Sequence, residues 1–193
     1  MQYFILDSLG QSDNEKFCLT TCQPEGLEDP DLRLDYGGSL KNIYPKNPFD
    51  VKMYLDADHP KHIKQGSFIS TTECYFMVDK KVVEELKNFS IGDVEYWPFT
   101  LINHKGRIHS REYSFVCPVE QYDALDFDES EIDRDSNGTV IGVDRIVLNN
   151  KKLKKAPDLI RINDLAMFAL SNTLVKALTE KYTNFAFDKA EQV

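Results

Sequence analysis

The stretch Tyr75-Phe76-Met77-Val78-Asp79, followed by Lys80-Lys81-Val82-Val83-Glu84-Glu85-Leu86-Lys87, has a counterpart later in the chain. The counterpart is Met167-Phe168-Ala169-Leu170-Ser171, followed by Asn172-Thr173-Leu174-Val175-Lys176-Ala177-Leu178-Thr179. Laid over each other, Phe76 falls on Phe168, Val78 on Leu170, Val82 on Leu174, Val83 on Val175, Leu86 on Leu178 and Asp79 on Ser171. Each copy is an apolar run, then a side chain able to accept a hydrogen bond from free helix amides, then apolar residues at helical spacing. Asp and Ser are preferred helix N-caps, and the i, i+3, i+4, i+7 apolar pattern marks a half-buried helix. Both copies therefore read strand, cap, helix. An extended segment follows each, Asp93-Val94-Glu95-Tyr96-Trp97 and Thr183-Asn184-Phe185-Ala186-Phe187. The expected fold is α+β, mostly antiparallel sheet, with two similar strand–cap–helix units over about 75–97 and 167–187. A repeat names no function, and these units read as scaffold.

Around them, residues 2–6 read as a first strand, 16–21 as a second and 51–55 as a short one. Residues 23–48 are broken up by Pro24, Gly26, Pro30, Gly37, Gly38, Pro45 and Pro48, so turns dominate, with room for a short strand near Leu32-Arg33-Leu34. The first helix is expected to run from Lys80 to about Phe89. Residues 94–102 and 107–116 flank the polar loop Asn103-His104-Lys105-Gly106, a β-hairpin pattern. Pro98 suggests that its strand lies at an edge or is bulged there. Alternation puts Tyr96 and Trp97 on opposite faces. Residues 139–148 are β-branched and apolar and read as a strand, as do 159–162. Lys151, Lys152, Lys154 and Lys155 read as a solvated turn. No low-complexity linker divides the chain, so 1–193 is expected to be a single domain.

The hydrophobic fraction of 41% and charged fraction of 28% are ordinary for a soluble globular protein, and 193 residues can bury a proper core. No apolar stretch approaches the roughly 20 residues needed to span a bilayer. Met1-Gln2-Tyr3-Phe4-Ile5-Leu6-Asp7 lacks a basic n-region and reads as a strand rather than a signal peptide, so a cytoplasmic location is expected. Cys18, Cys22, Cys74 and Cys117 form no Cys-x-x-Cys pair and read as free thiols. The net charge is −9 and unevenly spread. Between Glu120 and Asp135 lie eight acids and one base, Arg134, so this segment carries −7. A smaller acidic group is Glu25, Glu28, Asp29, Asp31 and Asp35. Such a surface repels nucleic acid and membranes and attracts basic partners.

Three patterns invite a chemical reading. Asp133-x-Asp135-x-Asn137-Gly138-x-Val140-x-x-x-Asp144 matches the oxygen-ligand spacing of an EF-hand loop, although its flanks lack helical pattern. The competing reading is an Asn137-Gly138 hairpin turn. His59-x-x-His62 beside Asp56 and Asp58 offers metal ligands, but on a turn rather than a shared helix face. His59, His62 or a cysteine would have to serve an enzyme, and no phosphate loop, nucleophile elbow or His-Glu-x-x-His motif is present. No catalytic residue, metal or cofactor is assigned. Trp97, between Tyr96 and Phe99, reads either as core or as an interface anchor.

In order, Val78 to Leu86, Asp93 to Pro98, Tyr122-Asp123-Ala124-Leu125-Asp126-Phe127-Asp128-Glu129-Ser130, Ile146-Val147-Leu148, Leu159-Ile160-Arg161-Ile162, Leu170 to Leu174 and Thr183 to Phe187 form a pattern. It resembles the immunity proteins of bacterial polymorphic toxin systems, specifically a family named after a myxobacterial member and first described as a domain of unknown function. The resemblance covers about 68–188, with Asp123-x-Leu125-Asp126 followed by Ser130 as its most specific piece. It implies a non-enzymatic protein that binds the toxic domain of a cognate toxin and blocks it. The acidic bias suits a nuclease toxin, whose phosphate-binding surface is basic. The residues expected to bind are Asp126, Asp128, Glu129, Glu131, Asp133 and Asp135, with Trp97 as an anchor. The alternatives are a small enzyme with an unrecognised site and a Ca²⁺-dependent module at the 133–144 loop.

Overall fold

Both caps form. Asp79 Oδ1 accepts the N–H groups of Lys81 at 2.9 Å and Val82 at 3.0 Å, and Ser171 Oγ accepts that of Leu174 at 3.3 Å. Each cap residue is extended, with ψ of 164° and 153°, so the chain leaves a strand and enters a helix within one residue. The computed structural model describes residues 1–11, 16–28, 34 and 37–193. Its elements run β1 (Tyr3–Leu6), β2 (Leu19–Thr20), β3 (Lys52–Tyr54), β4 (Ser70–Thr71), β5 (Met77–Asp79), α1 (Lys80–Leu86), β6 (Val94–Ile102), β7 (Ile108–Pro118) and β8 (Gln121–Tyr122). They continue with β9 (Glu131–Arg134), β10 (Val140–Arg145), β11 (Val147–Leu148), β12 (Leu159–Ile162), β13 (Phe168–Ser171), α2 (Asn172–Lys181), β14 (Phe187–Lys189) and β15 (Glu191–Gln192). The fold is α+β. Its long ladders are antiparallel, and the parallel pairings span only two or three residues each.

The two units share more than a cap. One sheet has the order β3-β6-β7-β5, the other β14-β1-β13-β12-β8. In the first, β5 and β6 lie on either side of β7, both antiparallel to it, and α1 joins them. In the second, β13 and β14 lie on either side of β1, both antiparallel to it, and α2 joins them. The middle strand comes from different places. β7 follows β6 through the expected hairpin, whereas β1 is brought in from the other end of the chain.

The apolar positions that align in sequence meet in space. Phe76, Val78, Val82 and Leu86 form one buried cluster with Phe168, Leu170, Leu174 and Leu178, joined by Val116 and Phe185. Phe76 meets Phe168 edge-on, with centroids 5.4 Å apart. Lys181 of α2 reaches Glu85 of α1, and Tyr182 donates to Lys81 O. A second cluster lies beneath the first sheet, with Met53, Phe99, Leu101 and Phe115. A third lies beneath the second sheet, with Tyr3, Leu125, Leu148, Ile160 and Ile162. Strand alternation distributes side chains between them. Val116 faces the shared cluster while Phe115 and Cys117 face the other, and Tyr96 and Trp97 separate in the same way.

Some expectations shift. Pro98 is not on an edge strand, because β6 lies between β3 and β7. Yet β3 pairs only with Thr100–Ile102, so the outer side of Pro98 carries no strand, and its carbonyl accepts from Tyr44 OH at 2.6 Å. The ladder shift falls just beyond it, between Phe99 and Leu101. The first helix stops at Leu86, although Asn88 and Phe89 continue as tight turns onto Glu85 O and Leu86 O. Residues 183–186 are not a strand. Asn184 has φ +68° there, and β14 begins only at Phe187. The strand expected over 139–148 divides at Ile146, β10 pairing with β9 and β11 with β15. The lysine run carries a 3-10 turn, Lys152–Lys155, that buries Leu153. Of Leu32-Arg33-Leu34 only Leu34 lies within the described residues, buried in the second cluster, and Asp29, Asp31 and Asp35 lie outside them.

Candidate functional site: an acidic turn and ribbon

The acidic segment is anchored before it is displayed. Ala124 and Leu125 are fully buried in the third cluster, and Asp126 N donates to Val147 O. From there the chain turns tightly. Asp126 Oδ1 accepts the N–H groups of Asp128 at 3.2 Å and Glu129 at 3.3 Å, and Oδ2 accepts Asn149 Nδ2 at 2.8 Å. A short polar side chain that caps its own turn is a common use of Asp. The far end is latched too. Ser130 N donates to Asp126 O, and Ser130 Oγ both donates to Val147 O and accepts from Val147 N. The residues that carry the sequence pattern, Asp126 and Ser130, are thus the two latches of one turn. What the turn shows to solvent is Phe127, Asp128 and Glu129.

Phe127 is 49% exposed, but its ring is not loose. Arg134 Cζ lies 5.5 Å from the centroid and Lys152 Nζ 5.4 Å. Both cations are held, Lys152 by Asp123 Oδ1 and Leu125 O, Arg134 by Gly138 O and Asp164 Oδ2.

Beyond the turn, β9 and β10 form a two-stranded antiparallel ribbon. Ile132, Val140 and Val143 pack on the third cluster, so period-2 alternation sends Glu131 and Asp133 outward. Arg145 stands opposite Glu131 and bonds Glu191, raising the guanidinium's pKa and lowering the carboxyl's. Ladder shifts at Val140/Gly142 and Val143/Arg145 leave Ile141 and Asp144 as bulge residues, and Ile141 is 69% exposed. The ribbon closes at Asn137-Gly138, where Gly138 takes φ +84° and Asp135 Oδ1 accepts from Asn137 N and Thr139 N.

The expected binding residues therefore divide. Asp128, Glu129, Glu131 and Asp133 are exposed, and their carboxylates make no ion pair among the described residues. Asp126 and Asp135 each commit Oδ1 to the backbone amides of a turn, and Asp126 commits Oδ2 to Asn149 as well. Trp97 belongs to a different part of the molecule. It packs on the second cluster, stacks on Tyr44 at 4.6 Å and donates from Nε1 to Glu95 Oε2. Glu95 is buried. Burial works against its charge, but donors from Ser39, Leu40 N–H, Trp97 and Lys41 outweigh it and hold the carboxyl below its ordinary value. Phe127 and Ile141 were missed in the sequence because apolar residues read as core. The signal that marks Phe127 is its place inside an Asp-x-x-Glu-Ser turn rather than a strand.

The 133–144 loop is a hairpin and not an EF-hand, since strands flank it and Asp135 caps the turn. Among the described residues no group of three or more His, Cys, Asp or Glu is placed to hold a metal ion. The His59 and His62 rings lie 5.2 Å apart, tilted by 51°, with His59 Nδ1 3.3 Å from Asp56 Oδ2. The fold does bring one Cys–His pair together, Cys18 Sγ and His109 Nε2 at 3.6 Å. That nitrogen also lies 3.2 Å from Ile63 O, which can only accept, so Nε2 carries the proton and is no base toward sulfur. Burial pushes the Cys18 thiol up to about 12, the opposite of an activated nucleophile. No described helix is long and apolar enough to cross a membrane. No protein-family model matches the chain, and no curated protein matches it significantly.

Proposed function

We propose that this chain is an immunity protein, which binds the toxic domain of a cognate bacterial toxin one to one and neutralises it. The observation that carries the reading is the acidic turn and ribbon. Four carboxylates that make no ion pair among the described residues, Asp128, Glu129, Glu131 and Asp133, stand on a framework fixed by the Asp126, Ser130 and Asp135 hydrogen bonds. Unpaired carboxylates on a preformed surface favour a basic partner, and speed its encounter by electrostatic steering. A toxin that handles nucleic acid presents such a surface, because phosphate binding requires cations. The sequence resemblance supports the class of function, and the charge distribution supports the surface. An inhibitor of this kind works in the cytoplasm, where the toxin acts, and needs neither cofactor nor catalytic residue.

The test is co-expression with the toxin domain encoded beside this gene. The chain should co-purify with that domain and restore growth. Replacing Asp128, Glu129, Glu131 and Asp133 together by Asn should slow association at least tenfold at low salt and flatten its salt dependence. A neighbouring product that is harmless, or toxicity that the chain leaves unchanged, overturns the reading.

A further inference from the structure

Phe127 is the least expected side chain on the acidic surface. A half-exposed phenylalanine ring gains nothing from water, yet three separate restraints hold it there. The turn beneath it is latched by Asp126 and Ser130. Arg134 and Lys152 approach the ring at 5.5 and 5.4 Å. Each cation is itself tied to an acid, Asp164 or Asp123, and to a carbonyl, Gly138 O or Leu125 O. The cations beside the ring are therefore held by acids of their own, while the carboxylates of Asp128 and Glu129 next to it make no ion pair among the described residues. An aromatic side chain fixed in advance, with a charged rim around it, is the arrangement that concentrates binding energy at protein interfaces, because little ordering remains to be done on docking.

We infer that Phe127 is the anchor of the partner interface. It enters an apolar pocket on the basic face of the toxin domain while Asp128 and Glu129 pair with cations at the pocket's edge. The partner is a protein whose surface is basic, complementary to carboxylates that make no ion pair among the described residues, with a recess for the ring. A second copy of this chain is disfavoured, since two such turns would set like charges against each other. The assignment rests on the immunity reading above and adds to it a division of labour: the acids set how fast the complex forms, and Phe127 sets how long it lasts.

The experiment is titration calorimetry and stopped-flow binding of the neighbour-encoded toxin domain, rendered catalytically inactive, against the full chain. Three variants are compared: Phe127→Ala, Phe127→Trp, and Asp128→Asn with Glu129→Asn. Phe127→Ala should weaken binding by about 30-fold or more, almost wholly through faster dissociation, with the salt dependence of association unchanged. Phe127→Trp should retain most of the affinity. The Asn pair should slow association and leave dissociation nearly as it was. Thermal melts should be near wild type, because the changed side chains are exposed. If the wild-type chain binds and protects but Phe127→Ala binds within about threefold of it, the anchor is wrong and the immunity reading stands. If the wild-type chain neither binds nor protects, the immunity reading falls and takes the anchor with it. Concentration-dependent dimerisation of the chain alone, abolished by Phe127→Ala, would assign the ring to self-association and overturn the proposal.

Discussion

The two strand–cap–helix units solve the same local problem and differ in what they leave to the rest of the chain. Each turns a strand into a helix at a single capping residue, and each returns the chain to the far side of an intervening antiparallel strand. The first finds that strand nearby, as the hairpin partner β7. The second must wait for β1, paired as Phe4 with Leu170 across almost the whole chain. The way out of each helix differs as well. After α1 the chain turns at Gly92, with φ +71° and open space around it. After α2 it turns at Asn184, with φ +68° and no exposure. Asn184 Nδ2 donates to Phe68 O and Ser70 Oγ, and Oδ1 accepts from Gln11 N. The turn at Gly92 itself stands in open space, while the turn at Asn184 is fixed by its own side chain's bonds to distant segments.

The largest effect expected concerns what the units share. Phe76→Ala and Phe168→Ala should each cost about 3–5 kcal/mol in urea denaturation, as large-to-small changes in a packed core do. Since the rings touch, the double variant should depart from additivity by at least about 0.5 kcal/mol. Additive losses would mean that the units do not share one core. The next effect separates the exits. Asn184→Ala strips a partner from two buried groups, Phe68 O and Ser70 Oγ, and from the Gln11 N–H, and sets a Cβ residue with no side-chain bonding at positive φ, for a loss of about 3 kcal/mol. Gly92→Ala, strained but in open space, should lose only about 1–2 kcal/mol. Equal losses would erase the distinction.

The caps should also be unequal. Asp79→Ala should lose about 1 kcal/mol, the usual worth of an N-cap. Ser171 is fully buried and its Oγ also donates to Asp158 Oδ1 at 2.6 Å, so Ser171→Ala should approach about 2 kcal/mol. Guanidinium denaturation of the two variants makes the comparison. The smallest effect is one of pH. The first unit's exit strand carries the buried Glu95, the second's the exposed Asp188. A carboxyl held below its ordinary value of 4.5 contributes stability that is complete above that value and is lost as pH falls through the lower folded value. Glu95→Gln should therefore be less stable than wild type at neutral pH, and the gap should close in acid, at pH values below the ordinary 4.5. A gap that stays constant from pH 7 to 3 would show that hydrogen-bond geometry, not charge, is what Glu95 supplies.

The fold was legible wherever its causes are local. Asp79 and Ser171, the helix faces they start, the Asn103–Gly106 hairpin and the Asn137-Gly138 turn all follow from neighbours within a few residues. The site was legible in part. The charge of the 120–135 segment is plain in composition, but its acids look alike there. Only the turn geometry separates Asp126 and Asp135, which hold backbone amides, from Asp128, Glu129, Glu131 and Asp133, which face water. Of the two readings open for Trp97, core and anchor, the structure shows it packed on the second cluster, while Phe127 stands exposed on the turn. Side-chain type says that each is apolar, and only the surrounding strands say which one has a core to enter.

By itself, the sequence determined two capped helices with matching apolar faces, a set of hairpins, and a surface of strongly negative charge concentrated in one segment. Propensity, capping and periodicity act over short chain separations and need no knowledge of the whole. The tertiary structure alone decided which strand lies between the arms of each unit, that both helices feed one cluster through Phe76 and Phe168, and that Phe127 stands outside it. Pairings such as Phe4 with Leu170 join segments with no local relation. Their free energy exists only once the chain has closed on itself.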